Sequence, residues 1–255
     1  MRGRALLPWA AVGAVVIAVA MIFFYAPTEA VQGDVQRIFY IHVPSAWLAY
    51  IAFIIVAAAS IMVLARRNDW ERWDRIAVAG AEVGVLFTSI VLTTGPIWAR
   101  RVWGVWWAWD ARLTSTLVLW LIYVGYLAFR GLAPPDERRA RLGAVIGVVG
   151  AIDIPVVHFA VTWWLSAHPD PTVLRAGGPD LPGQMMLTLL VSFVALALVF
   201  ATFLLVRIRI EEGRSRIELA LESTRVRLIT LARSGFRRRL VAARRLRRPA
   251  VACGT

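Results

Sequence analysis

The sequence predicts an all-α integral membrane protein, a bundle of six transmembrane helices with both termini in the cytoplasm. Three observations support this fold: 59% of the 255 residues are hydrophobic, only 18% are charged, and the apolar residues gather into six long stretches. A composition of this kind does not suit a water-soluble domain. The chain has one cysteine, which excludes a disulfide scaffold, a thiol oxidoreductase and a c-type cytochrome with its Cys-x-x-Cys-His motif.

A membrane helix needs about 20 apolar residues to cross a hydrocarbon core of about 30 Å. Six stretches qualify, at Pro8 to Ala26, Val43 to Ala65, Ile76 to Ala99, Leu113 to Phe129, Leu142 to Trp164 and Gln184 to Val206. The first stretch follows Arg2 and Arg4 as a cleaved signal peptide would, but it exceeds the usual ~7–15 apolar residues. We therefore predict an uncleaved helix and a transmembrane domain over residues 1–206.

Arginine sets the predicted orientation, because short cytoplasmic loops retain positive charge. Segments 66–75 and 130–141 hold four Arg each, whereas the loops joining helices one to two and five to six hold one each. Both termini are therefore predicted inside. The loop between helices three and four is the exception, because it lies outside by this count and still carries three Arg.

Residues 207–255 form a basic tail, predicted to be cytoplasmic. The tail holds 14 Arg and four acids, a net charge of +10, whereas residues 1–206 carry +3. Apolar residues recur along it at Ile210, Ile217, Leu221, Leu228 and Leu231. This spacing predicts an amphipathic helix along the inner leaflet or against a partner. The charge favours anionic membrane lipid, and we predict no nucleic-acid partner.

The external loop over residues 98–112, here called the tryptophan loop, concentrates aromatic and basic residues. Five of the 12 Trp lie in it, at Trp98, Trp103, Trp106, Trp107 and Trp109. An aromatic belt at the headgroup level explains Trp at helix ends. A ligand platform is the alternative, because indole faces and guanidinium groups suit a flat apolar ligand with carboxylates, such as a porphyrin. Composition leaves both interpretations open.

The order of residues in this loop resembles a known motif. The segment Trp103-Gly-x-Trp-Trp-x-Trp109-Asp110-x-Arg112-Leu-Thr is similar to the WWD motif of haem-handling cytochrome c assembly proteins. Six spans in 255 residues are similar to one family among them, cytochrome c maturation protein C, also called haem exporter protein C. The stretch Gln36 to Trp47 and the pair Trp163-Trp164, followed by His168, carry the same resemblance.

The resemblance implies a multi-pass protein of the bacterial inner membrane that binds haem at its periplasmic face and is not an enzyme. It implies delivery of haem to a periplasmic haem chaperone, maturation protein E, for c-type cytochrome biogenesis. It also implies association with an ABC-type complex of maturation proteins A and B and with the small, single-span maturation protein D.

Two alternative functions stay open. A cytochrome c haem lyase, or synthetase, would use the same loop to attach haem to apocytochrome, and it would need further helices or a docking domain. A haem-translocating transporter would need ligands near the inner leaflet, where the predicted topology places no histidine.

Three histidines are the candidate ligands for haem iron. The predicted topology places His42 and His168 outside, level with the tryptophan loop, and His158 about 9 Å deeper at 1.5 Å per helical residue. The resemblance implies the same outer pair, so we predict non-covalent haem with iron ligated by His42 and His168. We expect a structural role for His158. A cytochrome b with two bis-histidine haems is excluded, because it needs four ligands.

Charged and aromatic residues complete the predicted site. Arg112 matches the family motif and Arg37 stands five residues before His42, so both are predicted to contact the haem propionates. Asp110 is predicted to cap the next helix and to orient an Arg or His. The residues predicted to cover the porphyrin are Trp103, Trp106, Trp107 and Trp109.

Two acids fall within predicted spans, where ionisable groups suggest a function. Glu82 is near the cytoplasmic end, and we expect it to reach the interface or to pair with an Arg of the inner loop. Asp153 lies just before Pro155, whose missing N–H leaves the carbonyl of Ala151 without its helical donor. A kink with a polar pocket is therefore predicted there.

Overall fold

A computed structural model of the chain describes residues 3–66, 68–164, 168, 173, 178 and 181–246. The α-helices in this part of the chain are α1 (Gly3–Ala20), α2 (Phe39–Ala65), α3 (Trp70–Trp103), α4 (Ala111–Leu132), α5 (Glu137–Ala151), α6 (Asp153–Trp163) and α7 (Gly183–Leu246). A π-helical segment, Met21–Tyr25, continues α1, and a 3-10 helix, Asp34–Ile38, leads into α2.

The prediction of six membrane helices is confirmed. Among the described residues, six helical segments are long and apolar enough to cross a membrane, namely Leu6–Tyr25, Asp34–Ala65, Trp70–Trp103, Ala111–Leu132, Glu137–Trp163 and Gly183–Ile217. These segments extend beyond most of the predicted apolar stretches. A helix continues wherever its backbone hydrogen bonds can form, whether or not its side chains are apolar.

The start of α3 illustrates this difference. Its first turns carry Asp74, which is buried and accepts hydrogen bonds of 2.5 and 2.7 Å from the guanidinium of Arg130 on α4. The apolar stretches assign Arg130 to a loop, but it lies inside α4 and is 8% exposed. This bidentate ion pair joins one end of α3 to one end of α4.

The core is formed mainly where α2, α3 and α4 meet. Phe53 of α2 stacks on Tyr123 of α4, with ring centroids 3.9 Å apart and an interplanar angle of 9°. Gly84 of α3 faces the same ring, and a Cβ at this position would overlap Phe53. Small residues allow membrane helices to approach closely. The close contact of α2 with α3 therefore depends on Gly84 and fixes the relative position of their ends.

Pro155 interrupts the fifth membrane segment as predicted. Helix α5 ends at Ala151 and α6 begins at Asp153, so the break falls at the carbonyl that loses its donor. The Oδ2 atom of Asp153 is buried and has no hydrogen-bond partner among the described residues.

Glu82 forms an ion pair inside the membrane segment of α3, but with a different partner from the one expected. The guanidinium of Arg207, on α7, donates to both carboxylate oxygens of Glu82. The two charged groups thus neutralise each other within the membrane segment. The sequence predicted that Glu82 reaches the interface or pairs with an Arg of the inner loop, whereas its partner in the structure is an Arg of the last membrane helix.

The chain divides into two compact units with a boundary between Ile208 and Arg209. In the second unit, the backbone stays helical to Leu246. Ile210, Ile217 and Leu221 are exposed in this helix. The last part of the predicted tail, residues 247–255, lies outside the described residues.

Candidate functional site

His42 lies in the first turn of α2, in a cradle formed by one turn of α3. Its Nδ1 atom is 2.9 Å from Oγ1 of Thr94. The indole of Trp98 meets the imidazole edge to face, with centroids 5.8 Å apart. Gly95 leaves space for the ring, since a Cβ there would lie 3.3 Å from its Cε1 atom. The three residues Thr94, Gly95 and Trp98 are here called the imidazole cradle.

His168, in the connection between α6 and α7, contacts the start of α4. Its Nδ1 atom is 3.3 Å from Nη1 of Arg112. Because a guanidinium has donors and no acceptor, the imidazole nitrogen must accept in this contact. The Nη2 atom of Arg112 donates to the backbone carbonyl of His158 at 2.9 Å. Trp103, at the end of α3, lies 6.3 Å from the His168 ring.

The last turns of α3 link the two predicted iron ligands. Trp98 borders the imidazole of His42 and Trp103 borders that of His168, and these two tryptophans stand five residues apart, about 7.5 Å along the helix axis. His42, His168 and Arg112 thus come from three different parts of the chain to one end of α3. Two imidazoles suffice as axial ligands for haem iron, because the porphyrin supplies four further nitrogens.

The tryptophan loop presents indoles on the surface next to these residues. Helix α3 ends at Trp103 because Gly104 adopts a positive φ of 78°, which a glycine tolerates. Trp106 is 60% exposed and Trp109 is 77% exposed. Trp107 is half-buried and meets Trp109 edge to face at 5.7 Å. Exposed indoles of this kind form an apolar surface suited to a flat ligand.

Asp110 caps α4, as predicted. Its Oδ1 atom accepts a 2.8 Å hydrogen bond from the backbone N–H of Leu113. A capping carboxylate fixes the first turn of a helix. Since Arg112 belongs to that turn, the cap also fixes the backbone from which its side chain extends.

Arg112 itself offers a further donor to a ligand. Its Nε atom is buried and has no hydrogen-bond partner among the described residues. The indole Nε1 atom of Trp107 is also buried and has no hydrogen-bond partner among the described residues. Buried donors of this kind normally find an acceptor. A propionate would satisfy the guanidinium, so these residues fit a haem with its carboxylates.

Arg37, predicted to contact a propionate, makes its described contacts with the segments that precede α2. Its guanidinium donates to the backbone carbonyl of Ile22, pairs with Asp34 at 3.2 Å and lies over the ring of Phe23 at 5.8 Å. These contacts join the π-helical segment Met21–Tyr25 to the 3-10 helix. Contact of Arg37 with a propionate stays a prediction.

Tyr50 of α2 is a polar residue near the site to which the sequence alone assigns no role. It meets the imidazole of His158 edge to face at 6.3 Å. His158 is exposed on the helix surface, while its carbonyl receives Arg112. Thr94 and Tyr50 were missed because each lies in an apolar stretch, where a lone hydroxyl gives little signal.

Comparisons with known proteins show similarity over most of the chain. Residues 2–221 match the family model described as Heme exporter protein C. The chain is 38% identical over 213 residues to Heme exporter protein C of Bradyrhizobium diazoefficiens, covering 83% of this chain and 80% of that protein.

Two further relatives show a similar match. Identity to Heme exporter protein C of Escherichia coli K12 is 34% over 208 residues, which cover 80% of this chain and 82% of that protein. For Heme exporter protein C of Haemophilus influenzae, identity is 30% over 187 residues, covering 73% and 75% of the two chains.

Proposed function

We propose that this chain, which belongs to the heme exporter protein C family, binds haem between His42 and His168 and passes it on for c-type cytochrome biogenesis. Haem is its cargo in haem export. The observation that carries the proposal is the position of His42, and of His168 with the Arg112 guanidinium, at one end of α3 beside exposed indoles. Few other cargoes need two axial nitrogen ligands, an apolar face and a cation at once.

Each residue supplies one part of the binding. His42 and His168 ligate the iron axially, and the indoles of the tryptophan loop cover the porphyrin. Arg112 binds a propionate, which is a stronger acceptor for a guanidinium than a neutral imidazole nitrogen. Propionate binding therefore draws Arg112 from Nδ1 of His168. The imidazole can then carry its proton on Nδ1 and use Nε2 for iron.

We place this site at the periplasmic face of a bacterial inner membrane, with both termini in the cytoplasm. The support is the distribution of arginine, with four in each of the segments 66–75 and 130–141. The buried Asp74–Arg130 pair lies where those two segments meet α3 and α4. Haem delivery on the opposite side suits export, because c-type cytochromes are assembled there.

The partners proposed for this chain follow from its family. They are a periplasmic haem chaperone, maturation protein E, which receives the haem, and the ABC-type complex of maturation proteins A and B with the small maturation protein D. We propose binding and transfer in place of an enzymatic step, in keeping with the family description as a heme exporter. The basic tail contacts anionic lipid of the inner leaflet.

Absorption spectroscopy of the purified protein tests the haem site. We expect added haem to give the Soret and visible bands of six-coordinate, low-spin iron. His42→Ala and His168→Ala should each give a five-coordinate spectrum, and free imidazole should restore the six-coordinate one. His158→Ala is the matched control and should resemble the unchanged protein. Loss of the Soret band in His158→Ala alone, or no haem uptake by the unchanged protein, contradicts the proposal.

A further inference from the structure

We propose that Thr94 is a positioning residue that holds the His42 imidazole with its proton on Nδ1, so that Nε2 already presents a lone pair before haem binds. The inference rests on the proposed function in one respect, since it takes His42 as an iron ligand. It adds a residue to the site and assigns the two histidines different states in the haem-free protein.

The direction of the Thr94–His42 hydrogen bond follows from the other contacts of the hydroxyl. Oγ1 of Thr94 lies 2.7 Å from the backbone carbonyl of Ile90 and 3.5 Å from that of Val91. A carbonyl can only accept, and a hydroxyl has one proton to donate. The short contact to Ile90 therefore uses that proton. The Nδ1 atom of His42, 2.9 Å from the same oxygen, must then act as the donor.

This direction fixes the tautomer of His42. A neutral imidazole carries one proton, so a proton on Nδ1 leaves Nε2 free to bind a metal. Histidine ligands in metal sites are commonly oriented in this way, with the second ring nitrogen donating to a neighbouring acceptor. Here the acceptor is itself anchored, because Thr94 is β-branched and bonded to the preceding turn of α3.

The rest of the imidazole cradle packs around the ring. Gly95 lies close to it, where a Cβ would come within 3.3 Å of Cε1, and Trp98 borders it. The indole of Trp98 is held in turn by a 2.7 Å hydrogen bond from Nε1 to Oε1 of Gln32. His42 is thus held on one side by a hydrogen bond and on another by a fixed aromatic ring.

His168 has a different hydrogen bond and a different tautomer in the haem-free protein. Its Nδ1 atom accepts from Arg112, so the neutral ring in this contact carries its proton on Nε2. His168 must lose its contact with Arg112 and carry its proton on Nδ1 before Nε2 can bind iron, whereas His42 needs no such rearrangement. The structure therefore assigns His42 as the ligand that binds first.

Nitrogen-15 NMR of the haem-free protein tests the tautomer without any cargo. Because the chain has three histidines, selective imidazole labelling gives three pairs of signals, and His42→Ala identifies the pair of interest. We expect the His42 pair to show a protonated Nδ1 and an unprotonated Nε2. In Thr94→Val the pair should shift toward a mixture of tautomers. Thr94→Ser retains the hydroxyl and should keep the original pattern.

Thr93→Val is the matched control. Thr93 is the exposed neighbour of Thr94 and makes the same kind of backbone bond, 2.7 Å to the carbonyl of Ser89. Its replacement removes a hydroxyl from the same turn of α3 without touching an imidazole, so the His42 signals should not change.

Haem titration gives the second measurement. We expect Thr94→Val to bind haem about 10-fold more weakly, as is typical when the partner of a metal-ligating histidine is removed. Thr94→Ser and Thr93→Val should bind like the unchanged protein. A His42 signal with the proton on Nε2, or equal haem affinity in Thr94→Val, overturns the assignment of Thr94. Failure of the unchanged protein to bind haem would instead contradict the proposed function while leaving the NMR result standing.

Discussion

Arg112 offers the sharpest test of how the site recognises the propionates of its cargo. We predict that Arg112→Gln weakens haem binding because a charge-assisted hydrogen bond to a carboxylate is lost. Such a bond contributes about 1.5–3 kcal/mol, which corresponds to about a 10- to 150-fold change in dissociation constant. The upper part of this range applies here, because the Nε donor of Arg112 is buried and the propionate would lose a partner there.

The assay compares haem with its dimethyl ester, in which both propionates are neutral. The unchanged protein should bind the ester more weakly by the same factor, whereas Arg112→Gln should bind haem and ester about equally. The two changes, one in the protein and one in the ligand, form a double-mutant cycle that isolates their interaction.

Two control variants locate the carboxylate contact. Arg101→Gln removes an exposed arginine of the same loop, and Arg37→Gln removes the other predicted propionate contact. Both variants should keep the preference for haem over its ester, since the guanidinium of Arg37 is bound to the end of α1. If Arg112→Gln kept this preference and Arg37→Gln lost it, our reasoning about Arg112 would be refuted.

Three further predictions concern the scaffold and the tail. Asp74→Asn leaves Arg130 buried without its counter-ion, so thermal unfolding in detergent should show a loss of about 3–5 kcal/mol, and a Tm equal to that of the unchanged protein would contradict this. Asp110→Ala removes the cap of α4 and should cost about 0.5–2 kcal/mol in the same assay, with weaker haem binding as Arg112 loses its fixed position. In proteoliposomes, anionic lipid should protect the basic tail from trypsin, and neutral lipid or high salt should abolish the protection.

The number and class of the helices could be predicted from sequence, because apolar length is a local property of each segment. The break at Pro155 could be predicted for the same reason. The helical conformation of the first turns of α3 could not be predicted. Asp74 is buried there because it pairs with Arg130, a residue 56 positions away in the sequence. The partner of Glu82 was also missed, because it depends on which helix lies beside α3.

The candidate site shows the same limit. The resemblance implied the outer pair of histidines, and topology placed both on one side. Arg37 was assigned by its distance in sequence from His42, which gave no sign of its contact with the π-helical segment that follows α1. Thr94 gave no signal, because a threonine in an apolar stretch usually bonds to its own backbone. The packing of α2 on α3 brings His42 within hydrogen-bonding distance of the Thr94 hydroxyl oxygen, which still has lone pairs that can accept.

The different states of the two histidines bear on how a cargo can be both held and released. Iron ligation by His168 requires that its contact with Arg112 be broken, which offsets part of the gain by about 0.5–1.5 kcal/mol. Ligation by His42 carries no such cost. We therefore predict that His42→Ala weakens haem binding more than His168→Ala does, by about 2- to 12-fold.

Titration of both variants, with and without Arg112→Gln, measures this difference. In the Arg112→Gln background the two histidine variants should become nearly equal in affinity, because the competing contact of His168 is gone. A difference that persists unchanged would show that Arg112 does not compete for His168. The bond between His168 and the iron is therefore the weaker of the two axial bonds in net free energy. A recipient protein should displace His168 first, since breaking its bond to iron lets Arg112 return to Nδ1 of His168.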